Sequence, residues 1–473
     1  MTLIFSNHRF QYELERLYRN FFPPMELKLS TDPADAAGDF CLTEKKEFLG
    51  GIELSVELVC GGKRYAMSRT VPERTTDKEQ EREMSVLLYK ALREYTGRDL
   101  PWGILTGVRP VKVLSKLTDA QALESLLVSP RKLAVARRIE QVQKPLEDSI
   151  PTNSFSLYVS IPFCPTRCSY CSFVSHSVNQ AAARLDEYLV RMTEEMRQLA
   201  TISRHLGLTC DTIYFGGGTP TVLSAEQLRR LFAALECFDL SHVREFTVEA
   251  GRPDTITPEK LAAIKEAGAG RISVNPQTMN NEVLKAIGRA HTSEQTEQAF
   301  LMARETGFEV INMDLIAGLP LDDFDSFAAS LEAVCGLSPE NITVHSLSLK
   351  RAAALFRTGT DAEVGEAERM VDYAHKRLAE CGYVPYYLYR QKNTADNQEN
   401  TGYARPGTES LYNTYIMEEL QTILAVGAGA STKLVDRTTG RIQRITNLKY
   451  PYEYLDRFND ILENKRQIFS FFV

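Results

Sequence analysis

The sequence predicts an α/β protein whose core is a parallel sheet covered by helices. Three observations carry this. From about residue 156 onward, apolar β-type runs alternate with amphipathic helical stretches every 25 to 55 residues, the pattern of successive βα units. Six of these runs are nearly continuous in apolar residues, as strands buried on both faces are. The stretches between them have readable helix starts. Ser224 stands three residues before Gln227, a capping box, and Thr257 precedes Pro258 and Glu259, with proline at the first helical position.

The elements follow in order. The first 150 residues read as a small α+β unit, with short alternating stretches at 25–30 and 39–42. A hairpin is expected to run through 52–59, turn at Gly61-Gly62 and return through 64–71. A charged helix is expected over 77–95, with Met84, Leu87, Leu88 and Leu92 on one face. Residues 143–155 hold two prolines among acids, Ser, Thr and Asn, and read as a linker. The expected core strands are 156–161, 212–216, 245–250, 271–275, 309–316 and 341–347. An incomplete barrel and a doubly wound sheet both fit them, and in either the ligands gather at the C-terminal strand ends. A tyrosine-rich segment (Tyr383, Tyr386, Tyr387, Tyr389) and an aperiodic polar stretch at 391–409 follow. The last 60 residues read as helix around a Gly/Ala-rich turn at 427–431.

Composition narrows the function. The 473 residues carry 62 acidic and 55 basic side chains, a net charge of −7, with no long basic stripe, which argues against nucleic-acid binding. No apolar run approaches the ~18 residues of a membrane span. The start, Met1 to Phe5, lacks a basic n-region, so secretion is not indicated and the cytosol is the expected compartment. Nine cysteines in a cytosolic protein do not read as a disulfide framework.

Three of the nine stand out. Cys164, Cys168 and Cys171 form a CxxxCxxC cluster after the first core strand, in a segment with Pro165, Arg167 and Ser169 that reads as a loop. Structural zinc wants four ligands, and His176 is the candidate for a Cys₃His set. A [4Fe–4S] cube ordinarily takes four thiolates; held by three, it keeps one iron open. Cysteines 41, 60, 210, 237, 335 and 381 are scattered and read as packing residues or free thiols.

Five further motifs follow in fixed order. They are Tyr158-Val-Ser-Ile-Pro-Phe-Cys164, Gly216-Gly217-Gly218-Thr219-Pro220, Glu249 in Thr-Val-Glu-Ala, Gln277 in Asn-Pro-Gln-Thr with Arg289 in Ile-Gly-Arg-Ala-His, and Asp314 in Asn-Met-Asp-Leu-Ile-Ala-Gly-Leu-Pro. With the cysteine loop, this set resembles the radical S-adenosylmethionine superfamily, and within it the oxygen-independent coproporphyrinogen III oxidase-like family, over about residues 156–349. The resemblance implies a partial (β/α)6 parallel barrel core over 151–390, an N-terminal α+β domain over 1–150 and a mostly helical C-terminal domain over 391–473. It implies a [4Fe–4S] cluster on Cys164, Cys168 and Cys171. It implies S-adenosylmethionine held among Tyr158, Tyr170, Gly217, Gly218, Thr219, Glu249, Gln277, Arg289 and Asp314. It further implies a reduced flavodoxin- or ferredoxin-type electron donor and a tetrapyrrole substrate.

Two positions depart from the family's best-known branches. Phe173 stands where the oxidase branch carries a further cysteine, and residues 411–416 lack the His and Trp of the haem-chaperone branch. The Pro165-Thr-Arg167 loop, the long N-terminal extension and the Gly402-Tyr-Ala-Arg-Pro-Gly407 segment look like the coproporphyrinogen dehydrogenase branch. That resemblance implies oxidative decarboxylation of coproporphyrinogen III propionates to vinyl groups. A haem chaperone and a tetrapyrrole radical methyltransferase are the alternatives. Lys350, Arg351, Arg390, Lys392 and Arg405 are the candidate propionate-binding cations, and the Tyr383–Tyr389 cluster is a candidate macrocycle face.

Overall fold

The computed structural model describes residues 1–22, 26–172, 176–348, 353–355 and 364–472. It divides into two compact units, Met1–Glu140 and Gln141–Val473.

The first unit is built on a five-stranded sheet against which helices pack. Its strands are β1 (Thr2–Ser6), β2 (Lys28–Ser30), β3 (Phe40–Phe48), β4 (Gly51–Cys60) and β5 (Lys63–Val71), in the order β2-β1-β3-β4-β5. The expected hairpin is β4–β5. Gly61 and Gly62 both have positive φ (56° and 75°), as a tight two-residue hairpin turn requires. Helix α1 (Gln11–Phe21) and helix α2 (Asp77–Thr96) share one core with the sheet, which contains Leu14, Leu17, Leu54, Val56, Met84, Leu88 and Leu92. Thr76 and Glu79 close a capping box at the start of α2, and Gly97 ends it in the left-handed conformation.

The expected linker at 143–155 is helical as far as Asp148. Helix α3 (Pro130–Asp148) runs through Pro145, and the boundary between the two units falls inside it.

In the second unit the parallel strands are β6 (Ser154–Ile161), β7 (Thr209–Gly217), β8 (Glu245–Glu249), β9 (Arg271–Ser273), β10 (Val310–Ala317) and β11 (Asn341–Ser346). They lie side by side in sequence order, each parallel to the next. A doubly wound sheet would reverse its order at a switch point. This one does not, so the core is a partial (β/α)6 barrel. Ser224 and Gln227 form the expected capping box, and Pro258 opens its helix after Thr257.

The sheet continues beyond the six strands on both sides, which the sequence reading did not contain. β12 (Val384–Arg390) and β13 (Glu399–Ala404) extend it antiparallel next to β11. β13 lies within the stretch expected to be aperiodic. All six of its residues are buried, although three are polar or charged. Their partners explain this: the Ser346 hydroxyl donates to the Glu399 carbonyl and the Ser346 amide to Asn400 Oδ1. On the far side β14 (Thr422–Val426) pairs parallel with β6, followed by antiparallel β15 (Ser431–Val435) and β16 (Ile442–Thr446). The Gly/Ala turn therefore joins two strands, not two helices. Residues 391–473 also carry the helices α10 (Leu411–Glu418), α11 (Pro451–Asp456), α12 (Phe458–Lys465) and α13 (Gln467–Phe472), and they belong to the same compact unit as the barrel. No described helix is long and apolar enough to cross a membrane.

Candidate functional site

A cavity of about 600 Å³ runs along the barrel interior, lined by residues from both ends of the core strands, within the roughly 300–1,000 Å³ of small-molecule sites. Cys164, Cys168 and Cys171 line it, together with Tyr158, Tyr170, Gly217, Gly218, Thr219, Glu249, Gln277, Arg289 and Asp314. The fold thus brings together all twelve side chains or backbones singled out in the sequence.

The cysteine loop is pinned on two sides. Gly218 N donates to the Ile161 carbonyl and Thr219 N to the Phe163 carbonyl, both at 2.8 Å. A Cβ on Gly218 would lie 2.5 Å from the Phe163 oxygen, so only glycine allows this approach. The Thr219 hydroxyl donates to Cys164 Sγ at 3.5 Å. On the other side Ser169 N donates to the Ile287 carbonyl and the Thr166 hydroxyl to the Gly288 carbonyl. The glycine turn holds the cysteine loop by these backbone bonds.

Arg289 is buried at the convergence of three segments. Its Nη1 donates to the carbonyls of Gly251 (3.0 Å) and Asn275 (2.7 Å), and its Nη2 to the Tyr170 hydroxyl (3.2 Å). Tyr170 packs on a small apolar cluster that includes Ile287, Ile316 and Leu347. Gln277 has a φ of 72°, and its amide and carbonyl bond to Asp314 O and Ile316 N. This backbone fixes it beside β10.

The carboxylates lie deeper. Burial lifts Glu249 to about 7; the Tyr214 hydroxyl, donating to it at 2.6 Å, works against the lift, and the charge of Asp314 adds to it. Burial pushes Asp314 up, but the hydrogen bond and charge of His345 outweigh it and leave the group below its usual value. His345 Nε2 lies 3.6 Å from Asp314 Oδ2, and Nδ1 lies 3.3 Å from Asn400 Oδ1. That Asn400 oxygen already accepts from Ser346 N, so both histidine nitrogens face acceptor oxygens. Burial works to discharge His345, and Asp314 reverses the shift upward.

Glu249 gives a pH-dependent stability. Its unfolded value is near 4.5 and its folded value near 7. In that window the native chain keeps a proton that the unfolded chain releases, so stability falls as pH rises, by up to about 3 kcal/mol. In urea unfolding of the apoprotein, Glu249→Gln is expected to exceed wild type by about that amount at pH 8 and to match it near pH 4. An equal difference at both pH values would refute this.

Several wall residues escaped the sequence reading. Tyr214 and Tyr412 stack at 4.4 Å between centroids, with Tyr158 6.1 Å from Tyr412. Tyr412 comes from α10, and no sequence signal placed it there. His345 is a lone histidine in an apolar strand, and Arg252 follows β8 without a motif. Of the tyrosine cluster, Tyr387 and Tyr389 line the cavity. Tyr383 instead donates to the Pro339 carbonyl and lies under the Arg405 guanidinium, and Tyr386 packs with Tyr387 and Ala404.

The candidate propionate cations fare differently. Lys350 and Arg351 lie outside the described residues, as does Phe173. Arg390, Lys392 and Arg405 are not among the residues lining the cavity. The lining guanidinium groups are Arg252, Arg271 and Arg289. Arg271 is held by Asn341, the Thr408 carbonyl and Glu245.

Among the described residues no three His, Cys, Asp or Glu side chains converge on one metal-ion position. The three thiols instead border the larger cavity, a donor set that suits a multi-iron cluster. On the walls of the same cavity, Asn275 Oδ1, Thr247 Oγ1 and Arg289 Nε are buried without a hydrogen-bond partner. Such atoms are costly unless a ligand or water pairs them. All nine cysteines are thiols.

Comparison with known proteins agrees with this geometry. The Radical SAM superfamily profile matches residues 158–332. The chain is 38% identical to the "Oxygen-independent coproporphyrinogen-III oxidase-like protein HemZ" of Bacillus subtilis, over 97% of this chain and 95% of that protein. It is 32% identical to the heme chaperone HemW of Bacillus subtilis, over 63% of this chain and 77% of that protein. Among solved structures it is similar in fold to coproporphyrinogen III oxidase (HemN) from Escherichia coli, described as a radical SAM enzyme. The TM-score is 0.54 and the identity 24%, over 68% of this chain and 72% of that one.

Proposed function

The chain belongs to the oxygen-independent coproporphyrinogen-III oxidase-like family of the Radical SAM superfamily, and from that premise we propose that it oxidatively decarboxylates coproporphyrinogen III propionates to vinyl groups, giving protoporphyrinogen IX. The observation that supports this best is the convergence of three thiols, two half-buried acids and an aromatic wall on one cavity. In this reading Cys164, Cys168 and Cys171 would hold the [4Fe–4S] cluster, and the rest of the cavity would take S-adenosylmethionine beside it. When bound, cluster and cofactor supply a carbon radical that takes a hydrogen atom from substrate. The protein's part is position and dryness. Gly217, Gly218 and Thr219 fix the cysteine loop. Glu249 and Asp314 accept hydrogen bonds from cofactor hydroxyls, with Asp314 held in its charged form by His345. Arg289 keeps Tyr170 and the loops after β8 and β9 in register. Gln277 presents its amide beside Asp314. Tyr158, Tyr214 and Tyr412 exclude water from one side.

Each of the two propionates converted loses carbon dioxide, one hydrogen atom to the cofactor-derived radical and one electron to an external one-electron acceptor as the vinyl double bond forms. A reduced flavodoxin- or ferredoxin-type protein is the proposed electron source, and the cytosol the proposed compartment. The test is an anaerobic assay of reconstituted protein with coproporphyrinogen III and S-adenosylmethionine. Protoporphyrinogen IX is the expected product. An intact cluster that cleaves the cofactor without forming it would overturn the substrate assignment. The likeness to HemW favours a second reading, a haem chaperone. Stoichiometric haem binding without turnover would support that reading, and methylated tetrapyrrole would support a methyltransferase.

A further inference from the structure

The loop after β8 places a buried arginine behind one of the three thiols. Arg252 is 3% exposed. Its Nε and Nη2 donate to the two oxygens of Asp254, both at 2.9 Å, a planar fork that fixes the guanidinium in one orientation. The third nitrogen, Nη1, faces the cysteine loop. It lies 3.1 Å from Thr166 Oγ1, 3.4 Å from the Thr166 carbonyl and 3.8 Å from Cys168 Sγ. The last is an ordinary distance for a donor to the larger sulfur atom. The buried His291 ring lies beside this pair, its Nδ1 3.8 Å from Asp254 Oδ1, beyond hydrogen-bond reach. The guanidinium cannot swing away from the sulfur without breaking the fork.

We propose that Arg252 is a cationic hydrogen-bond donor to the thiolate of Cys168 that raises the reduction potential of the cluster this cysteine holds, with Asp254 positioning and partly neutralising it. The inference rests on the proposed ligand role of Cys168. Hydrogen bonds to cluster sulfurs, net charge and burial set the potential of iron–sulfur sites. Reduction adds one negative charge to the cluster, so a fixed cation at its sulfur stabilises the reduced form more than the oxidised one. A carboxylate a few ångströms further away has the opposite effect, and the two groups should act with opposite signs.

The test is a redox titration of the anaerobically reconstituted full-length protein, followed by electron paramagnetic resonance, with dithionite as reductant and neither cofactor nor substrate present. Iron per chain is measured first. Arg252→Gln is expected to move the midpoint to more negative potential, and Arg252→Lys to move it less, because one ammonium cannot serve both Asp254 and the sulfur. Asp254→Asn is expected to move it to more positive potential. The resonance reads only chains that carry a cluster, so partial loss of iron does not obscure the shift. A midpoint unchanged in Arg252→Gln, or displaced the same way in Arg252→Gln and Asp254→Asn, overturns the proposal. A wild-type chain that binds no iron overturns the ligand assignment instead, before any potential is read.

Discussion

Cys168→Ala is expected to abolish the cluster and, with it, all reductive cleavage of S-adenosylmethionine. The cysteine loop offers three thiols, so the change leaves two for an assembly that ordinarily takes four thiolates. Cys168 is buried and receives the Arg252 guanidinium, so the variant also leaves a buried cation facing a methyl group. The loop itself should survive, because its fastening is backbone: Ser169 N to Ile287 O, Gly218 N to Ile161 O and Thr219 N to Phe163 O. Iron analysis and the visible charge-transfer absorption after anaerobic reconstitution check the cluster, and far-ultraviolet circular dichroism checks the fold. Iron at the wild-type level with continued cofactor cleavage would remove Cys168 from the ligand set.

The second large effect is on stability. Lys465→Ala is expected to cost about 3–5 kcal/mol, the range for stranding one partner of a buried ion pair. Lys465 and Glu195 are both fully buried, 3.1 Å apart. Lys465 also donates to the Ala425 carbonyl and the Thr432 hydroxyl. Glu195 accepts from Asn447, the Tyr454 hydroxyl and Gly427 N. One network thus ties the helix Leu185–His205 to β14, β15 and α12. It also fixes the turn at 427–430, where a Cβ on Gly427 would lie 2.5 Å from the Ser160 carbonyl. That turn leads Gly429 and Ser431 onto the cavity wall, so the variant should weaken cofactor binding as well. Urea unfolding measures the loss. Adding Glu195→Gln to Lys465→Met should recover part of it, because no unpaired charge then remains inside. A loss below about 1 kcal/mol would mean that water reaches the pair.

Much of the site was legible because its chemistry is local in sequence. Cys164, Cys168 and Cys171 share one loop, and the glycine triplet declares a backbone that must approach another. The carboxylates stand near the ends of apolar strands, where an acid is conspicuous. Tyr412, His345 and Arg252 carried no such mark. Tyr412 reaches the cavity from a helix near the C-terminus, far in sequence from the strand that leads into the glycine turn, and stacking on Tyr214 leaves no periodicity. The charge of Arg390 and Arg405 does not reveal where they point: Arg390 donates to the Asn397 carbonyl and Arg405 lies over the Tyr383 ring, both away from the cavity lining.

The sequence by itself determined the strand order's raw material, the hairpin at Gly61-Gly62, the capped helices and the cysteine loop, since each rests on residues within a few positions of one another. Only the tertiary structure decided three matters. The core is a singly wound partial barrel, because winding direction is a relation between strands that no single strand encodes. The polar stretch at 399–404 is a buried strand, because Ser346 of β11 supplies partners that make its burial affordable. And Arg252 faces Cys168 because Asp254 grips the other side of its guanidinium, a three-body geometry that exists only in the folded chain.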